Sequence, residues 1–157
     1  MSRRDQIRMT EPEFREFLGA AKTIILNSIG RDGVPHPMPM WFSLADDGTI
    51  AMTTFSKSQK IQNLRRDPRV SLLVEAGSVY NELRGVVIYG HAELVSDVEE
   101  VTDILIGVSG RQGQLAEGAA PDVVREGLKG TAAKRTGIRV KPERVVSWDH
   151  SKLGGTY

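Results

Sequence analysis

Three prolines at alternate positions, Pro35, Pro37 and Pro39, constrain the fold of this chain more than any other feature. In an extended strand, alternate residues send their backbone N–H groups to the same edge. Proline has no N–H, so a strand over residues 34–42 lacks three donors along one side. That side cannot join an ordinary ladder, and prolines within sheets are confined to edges, strand starts and bulges. The segment is therefore expected at a sheet edge. Two purposes account for it equally well: protection against mispairing, or an edge kept free for a flat ligand.

The surrounding pattern is that of an antiparallel meander with helices at its margins. Thr10-Glu11-Pro12-Glu13 has the form of a capping box with proline in the first turn. Phe14, Phe17, Leu18 and Ala21 then share one helical face. Residues 23–29 form a β-branched run, turned by Gly30-Arg31-Asp32-Gly33 into the proline strand. Asp46-Asp47-Gly48 turns that strand into residues 49–53. A helix over 58–66, with Ser58 as N-cap, is stopped by Asp67-Pro68. Strands over 69–75 and 85–95 follow, with Gly90 a candidate bulge or close approach. From Ser96 the period changes: Ser96 with Glu99 reads as a second capping box, and Val98, Val101, Leu105 and Val108 mark a helix face. The glycine-rich stretch 107–118 is expected to break into a mobile loop, before Pro121 opens a helix to about Lys134. Strands over 138–140 and 145–148 close the chain. Residues 1–157 thus read as one mainly β domain of six to seven antiparallel strands, with peripheral helices and a helical insertion, 96–134, between the fifth and sixth strands.

Composition removes several function classes. A formal net charge of +1 gives no footprint for nucleic acid or an anionic membrane. The absence of cysteine excludes thiolate sites and suits a reducing cytoplasm, and no apolar run is long enough to span a bilayer. His36, His91 and His150 are scattered, so no metal site is expected. No glycine-flanked serine elbow or dinucleotide fingerprint occurs, and no catalytic side chain is nominated. Chemistry without acid–base machinery is what a redox cofactor supplies, the protein binding and orienting it.

The stretch Thr53-Thr54-Phe55-Ser56-Lys57-Ser58-Gln59-Lys60 places four hydroxyls and two ammonium groups where a strand ends and a helix begins. Helix N-termini carry free N–H groups and partial positive charge, which favour an anion. An ordinary capped helix with solvated lysines has the same composition.

Three runs together resemble a known family. They are Gly33-x-Pro35 through Pro39-Met40-Trp41-Phe42, then Thr53-Thr54, then Lys60-x-x-Asn63-Leu64-Arg65-Arg66-Asp67-Pro68-Arg69-Val70. The chain resembles the split β-barrel flavin-binding proteins of the pyridoxamine 5′-phosphate oxidase-like group, and within it the actinobacterial branch that uses the 5-deazaflavin F420. The resemblance implies a split β-barrel, a homodimer with the cofactor at the subunit interface, and Lys60 at the family's phosphate-contact position, with Thr53 and Thr54 at its hydroxyl positions. Met38, Pro39, Met40 and Trp41 are then expected to lie against the tricyclic ring. Lys57 and Trp148 join the cofactor-binding set on their chemistry alone. The implied activity is F420H2-dependent hydride transfer to an unsaturated or quinone-like small molecule. FMN is the alternative cofactor, and a non-catalytic flavin or haem carrier the alternative role. The Arg-x-His-Asp-Arg substrate motif of true pyridoxamine phosphate oxidases is missing, since this chain reads Val146-Ser147-Trp148-Asp149-His150-Ser151. Their arginine-rich FMN strand is replaced by the proline strand, so vitamin B6 oxidation is not expected. Arg31, Arg65 and Arg66 are candidates for holding the acidic tail of F420.

Overall fold

The computed structural model describes residues 2–154. In chain order the elements are α1 (Arg3–Gln6), α2 (Glu11–Ala20), β1 (Thr23–Ile29), β2 (Pro35–Trp41), β3 (Ser43–Leu44), β4 (Ile50–Phe55), α3 (Gln59–Arg66) and β5 (Arg69–Ala76). They continue with β6 (Arg84–Val95), α4 (Val98–Gln112), α5 (Pro121–Ala132), β7 (Arg135–Val140) and β8 (Arg144–Asp149). The strands run in the order β2-β1-β5-β6-β7-β4-β3, with β8 also on β6, and every pairing is antiparallel.

Strand β6 joins the two halves of this sheet. Its residues 84–91 pair with β5 and 84–89 with β8, whereas Ala92–Val95 pair with β7. Gly90 lies just before the change of partner. A Cβ there would stand 2.7 Å from the Lys141 carbonyl oxygen, so only glycine fits the close approach. The result is a split β-barrel with peripheral helices. Its interior is filled by Ile24, Leu26, Phe42, Met52, Leu72 and Ile138, each fully buried.

The proline strand β2 is an edge strand. Gly30 donates its N–H to the Val34 carbonyl at 2.8 Å. Hydrogen-bonded pairs recur every second residue, so Ser28–His36, Leu26–Met38 and Ile24–Met40 carry the ladder to β1. Pro35, Pro37 and Pro39 fall at the intervening pairs, and their donorless nitrogens face outward.

Several details differ from expectation. The two-residue β3 raises the strand count among the described residues to eight, so the insertion lies between the sixth and seventh strands. Asp97, not Ser96, caps α4, accepting the Glu100 N–H at 3.0 Å. Helix α4 does not break at Gly107 or Gly110 but runs to Gln112. Gly107 lets the helix close on β3, since a Cβ there would lie 3.1 Å from that of Ser43. Helix α5 ends at Ala132, short of Lys134. Two ion pairs from α5 to Glu99 of α4, by Arg125 at 3.0 Å and Lys129 at 3.1 Å, join the inserted helices.

The N-terminal capping box forms as expected, and it acquires a long-range partner. Glu13 accepts the Thr10 N–H at 2.6 Å and the Lys152 ammonium at 2.6 Å. The Lys152 bond, then those from Thr10, hold the Glu13 carboxyl down from 4.5 to about 2. A depressed carboxylate favours the folded state above its ordinary value, and that contribution fades as pH falls from 4.5 through about 2. Glu13→Gln is therefore expected to flatten the acid limb of the stability–pH curve within that window. Chemical denaturation at stepped pH reads it, and an acid limb unchanged from wild type would remove the linkage.

Candidate functional site

Helix α3 is held by a buried polar anchor. Asn63 is fully buried and donates to Ser28 of β1 at 3.0 Å, while Gln59 donates to Asn63 at 2.9 Å. This fixes the rotation of α3 and turns Lys60, on its first turn, inward. Lys60 is only 9 % exposed, and its ammonium meets one neutral oxygen, the Thr54 hydroxyl, at 3.1 Å. Among the described residues no carboxylate pairs with it. Burial holds the Lys60 ammonium below its ordinary value.

The start of α3 adds to this positive field. Ser58 is the N-cap, as expected, but its side chain makes no capping bond; its hydroxyl instead accepts from Thr54 at 3.4 Å. The Gln59 and Lys60 N–H groups thus have no side-chain cap beside the buried cation, while the Ile61 N–H donates to the Ser58 carbonyl at 3.1 Å. Hydroxyls, an ammonium and free amides converging without a counter-charge are the donor set for a phosphate.

Next to this cradle lies a cleft of about 610 Å³ between β2, β4, the start of β7 and the inserted helices. Of the residues expected to bind cofactor, Pro39, Met40, Trp41, Thr53 and Thr54 line it together. Met38 is half-buried on β2 opposite Leu26, outside the lining. Thr53 and Thr54 are consecutive strand residues, so their side chains project to opposite faces; the one bonded to Lys60 is Thr54. Lys57 is exposed and does not line the cleft. Trp148 sits on β8, opposite Gly85 of β6, against which its ring packs so closely that a Cβ at Gly85 would lie 2.1 Å from it. It too is absent from the cleft wall.

Two features escaped the sequence reading. Arg135 lines the cleft, yet in sequence it is one more basic residue after Lys134. Asn63 and Ser28 lie 35 positions apart, and nothing in either neighbourhood signals that they meet. The three arginines proposed for an acidic tail do come together: Arg31, Arg65 and Arg66 share a second cleft of about 630 Å³ with Gln59 and Gln62 of α3. Among the described residues no three His, Asp or Glu side chains gather as metal ligands, and no helix is long and apolar enough to cross a membrane.

The strand order and the helical insertion define a split β-barrel of the flavin-binding kind. The pyridoxamine 5′-phosphate oxidase family matches residues 10–149, and the chain belongs to that family. Among solved structures, it is similar to the conserved hypothetical protein Rv2991 of Mycobacterium tuberculosis, with 39 % identity, a TM-score of 0.86, and coverage of 100 % of this chain and 95 % of that one. It also shares the fold of an F420 reductase, at 22 % identity and a TM-score of 0.63, over 83 % of this chain and 94 % of the other. A FAD-binding protein of Mesorhizobium loti is similar at 22 % identity and a TM-score of 0.58, over 88 % and 92 % of the two chains. No curated protein matches the chain in sequence.

Proposed function

We propose that the protein is an F420H2-dependent oxidoreductase acting on an unsaturated or quinone-like small molecule, as a homodimer. The observation that carries this reading is the buried Lys60 ammonium, without a counter-ion, at the uncapped start of α3. The residues present fit the phosphate of a flavin-type cofactor: Lys60, Thr54 and the α3 amides would hold it, with Lys57 screening it from solvent. The donor-free edge of β2 would lie along the ring, with Met38, Pro39, Met40 and Trp41 against it and Thr53 at the cleft wall. Trp148, on the far side of β6 within its own chain, would reach the ring from the second copy. When bound, the deazaflavin supplies the hydride for an electron-poor double bond. The protein's part is to fix the ring, exclude water from the apolar cleft, and leave one face open to the acceptor.

F420 is favoured over FMN by the second cleft. A flavin without an acidic tail makes no use of Arg31, Arg65 and Arg66 gathered around Gln59 and Gln62, on the same short helix as Lys60. The test is parallel titration of the purified protein with F420 and FMN, followed by turnover of reduced F420 with a quinone. Tighter binding of F420 is expected. Arg31→Ser together with Arg65→Ser should weaken F420 by up to about thirtyfold at low salt and leave FMN unchanged, since exposed pairs contribute roughly 0–1 kcal/mol each. Equal loss for both cofactors would reject the tail assignment, tight binding without turnover would make the protein a carrier, and no binding of either would end the reading.

A further inference from the structure

The cleft under the inserted helices carries a second cation that the cofactor reading does not use. The Arg135 guanidinium lies over the Phe55 ring, 4.6 Å from its centroid, and its Nε is buried with no hydrogen-bond partner among the described residues. No carboxylate of the described residues pairs with Arg135, and no acidic side chain lines the cleft. Two large rings stand unusually open at its walls, Trp41 at 50 % and Phe55 at 59 % exposed. Leu105, Val108 and Leu128 supply an apolar roof from α4 and α5.

Each part of this arrangement selects a property of the occupant. With Trp41 given to the cofactor ring, the exposed Phe55 ring favours a flat, conjugated molecule, which can pack against it. A guanidinium with an unused buried donor favours a carboxylate, which takes two parallel N–H bonds from the planar fork. The apolar roof disfavours a strongly hydrated body. We propose that the Phe55–Arg135 end of this cleft, beyond the wall given to the cofactor ring, is the substrate pocket, that its substrate is a planar, conjugated carboxylate, and that Arg135 is the specificity-determining anion receptor. The assignment of the occupant as substrate rests on the proposed oxidoreductase activity; recognition of a flat carboxylate by Arg135 does not.

Calorimetric titration separates the two. Cinnamate, a planar conjugated carboxylate, and its neutral methyl ester are titrated into the protein without cofactor, and F420 is titrated separately. Cinnamate is expected to bind at least about tenfold more tightly than the ester. Arg135→Leu should abolish that preference by weakening cinnamate alone, while Arg135→Lys retains part of it and F420 affinity stays at the wild-type level. Thermal melts of both variants establish that they fold, and the lysine variant keeps the test open should the leucine variant not. Equal binding of acid and ester to wild-type protein overturns the proposal. So does a loss of F420 affinity in Arg135→Leu, which would put Arg135 in the cofactor site. Preference for cinnamate in a protein that binds neither F420 nor FMN leaves the anion receptor standing and removes the oxidoreductase instead.

Discussion

Lys60→Met is expected to weaken cofactor binding by about 1–3 kcal/mol and, at the same time, to make the cofactor-free protein more heat-stable. The two effects have one cause. In the folded protein the Lys60 ammonium has given up water for a single neutral hydroxyl, that of Thr54 at 3.1 Å. A buried charge without a partner opposes folding, and an unbranched apolar side chain of similar length removes that cost. About 1 kcal/mol of gain corresponds to roughly 2–4 °C in Tm for a domain of this size. The pH dependence gives an independent reading. The folded-state ammonium titrates below its ordinary 10.5, so the unfolded chain holds more protons in the alkaline range, and wild-type stability rises with pH towards 10.5. Lys60→Met should lack that rise. Differential scanning fluorimetry across pH, with parallel cofactor titration, checks all three outcomes. A variant that is less stable than wild type and binds cofactor equally well would show that Lys60 is a structural residue. A stabilising substitution that costs binding is the mark of a site kept under strain for function.

This cradle was partly legible in the sequence, and the reason it was only partly so is physical. Proline at alternate positions states its own geometry, because a missing N–H acts locally; β2 accordingly lies at the sheet edge with its prolines at the pairs that do not bond to β1. The Thr10–Glu13 box is equally local, and it formed as read. Burial of Lys60 is not local. It depends on Asn63 meeting Ser28 across 35 residues, and no periodicity encodes that contact. Helix α4 makes the same point from the other side. Gly107 and Gly110 lower helix propensity in isolation, yet the helix continues through them because Gly107 permits a close approach to Ser43 of β3. Tertiary packing outweighed a local preference worth about 1 kcal/mol per glycine. Arg135 was invisible for a third reason: an arginine is given meaning by the absence of partners, which only coordinates reveal.

Phe42→Ala is expected to lower stability by about 3–5 kcal/mol, a large share of the roughly 5–15 kcal/mol that holds a domain together. Phe42 is fully buried between the end of β2 and the short β3, and it is among the largest side chains of the barrel interior. Truncation removes its burial and leaves a cavity that neighbouring strands cannot close. A further term comes from Arg111 of α4, whose guanidinium lies 4.5 Å from the centre of the Phe42 ring. That arginine also donates to the carbonyls of Leu18 at 3.1 Å and Ala21 at 2.5 Å, and Gln112 beside it donates to Lys22 at 2.9 Å. Phe42 therefore supports the clamp by which the end of α4 grips the α2–β1 turn. The same helix supplies Leu105, Val108 and Ser109 to the cleft. Loss of the ring should thus appear twice: as a fall in Tm of roughly 6–20 °C, and as faster amide exchange along the last turns of α4, which lose the Arg111 contact, than in the central strands β5 and β6. Phe42→Leu, which keeps apolar volume but not the ring face offered to Arg111, should recover most of the Tm and little of the exchange protection. If both variants lower Tm while α4 exchanges no faster than the central strands, the phenylalanine fills the core without bracing the helix, and the cleft owes its shape to α4 and α5 alone.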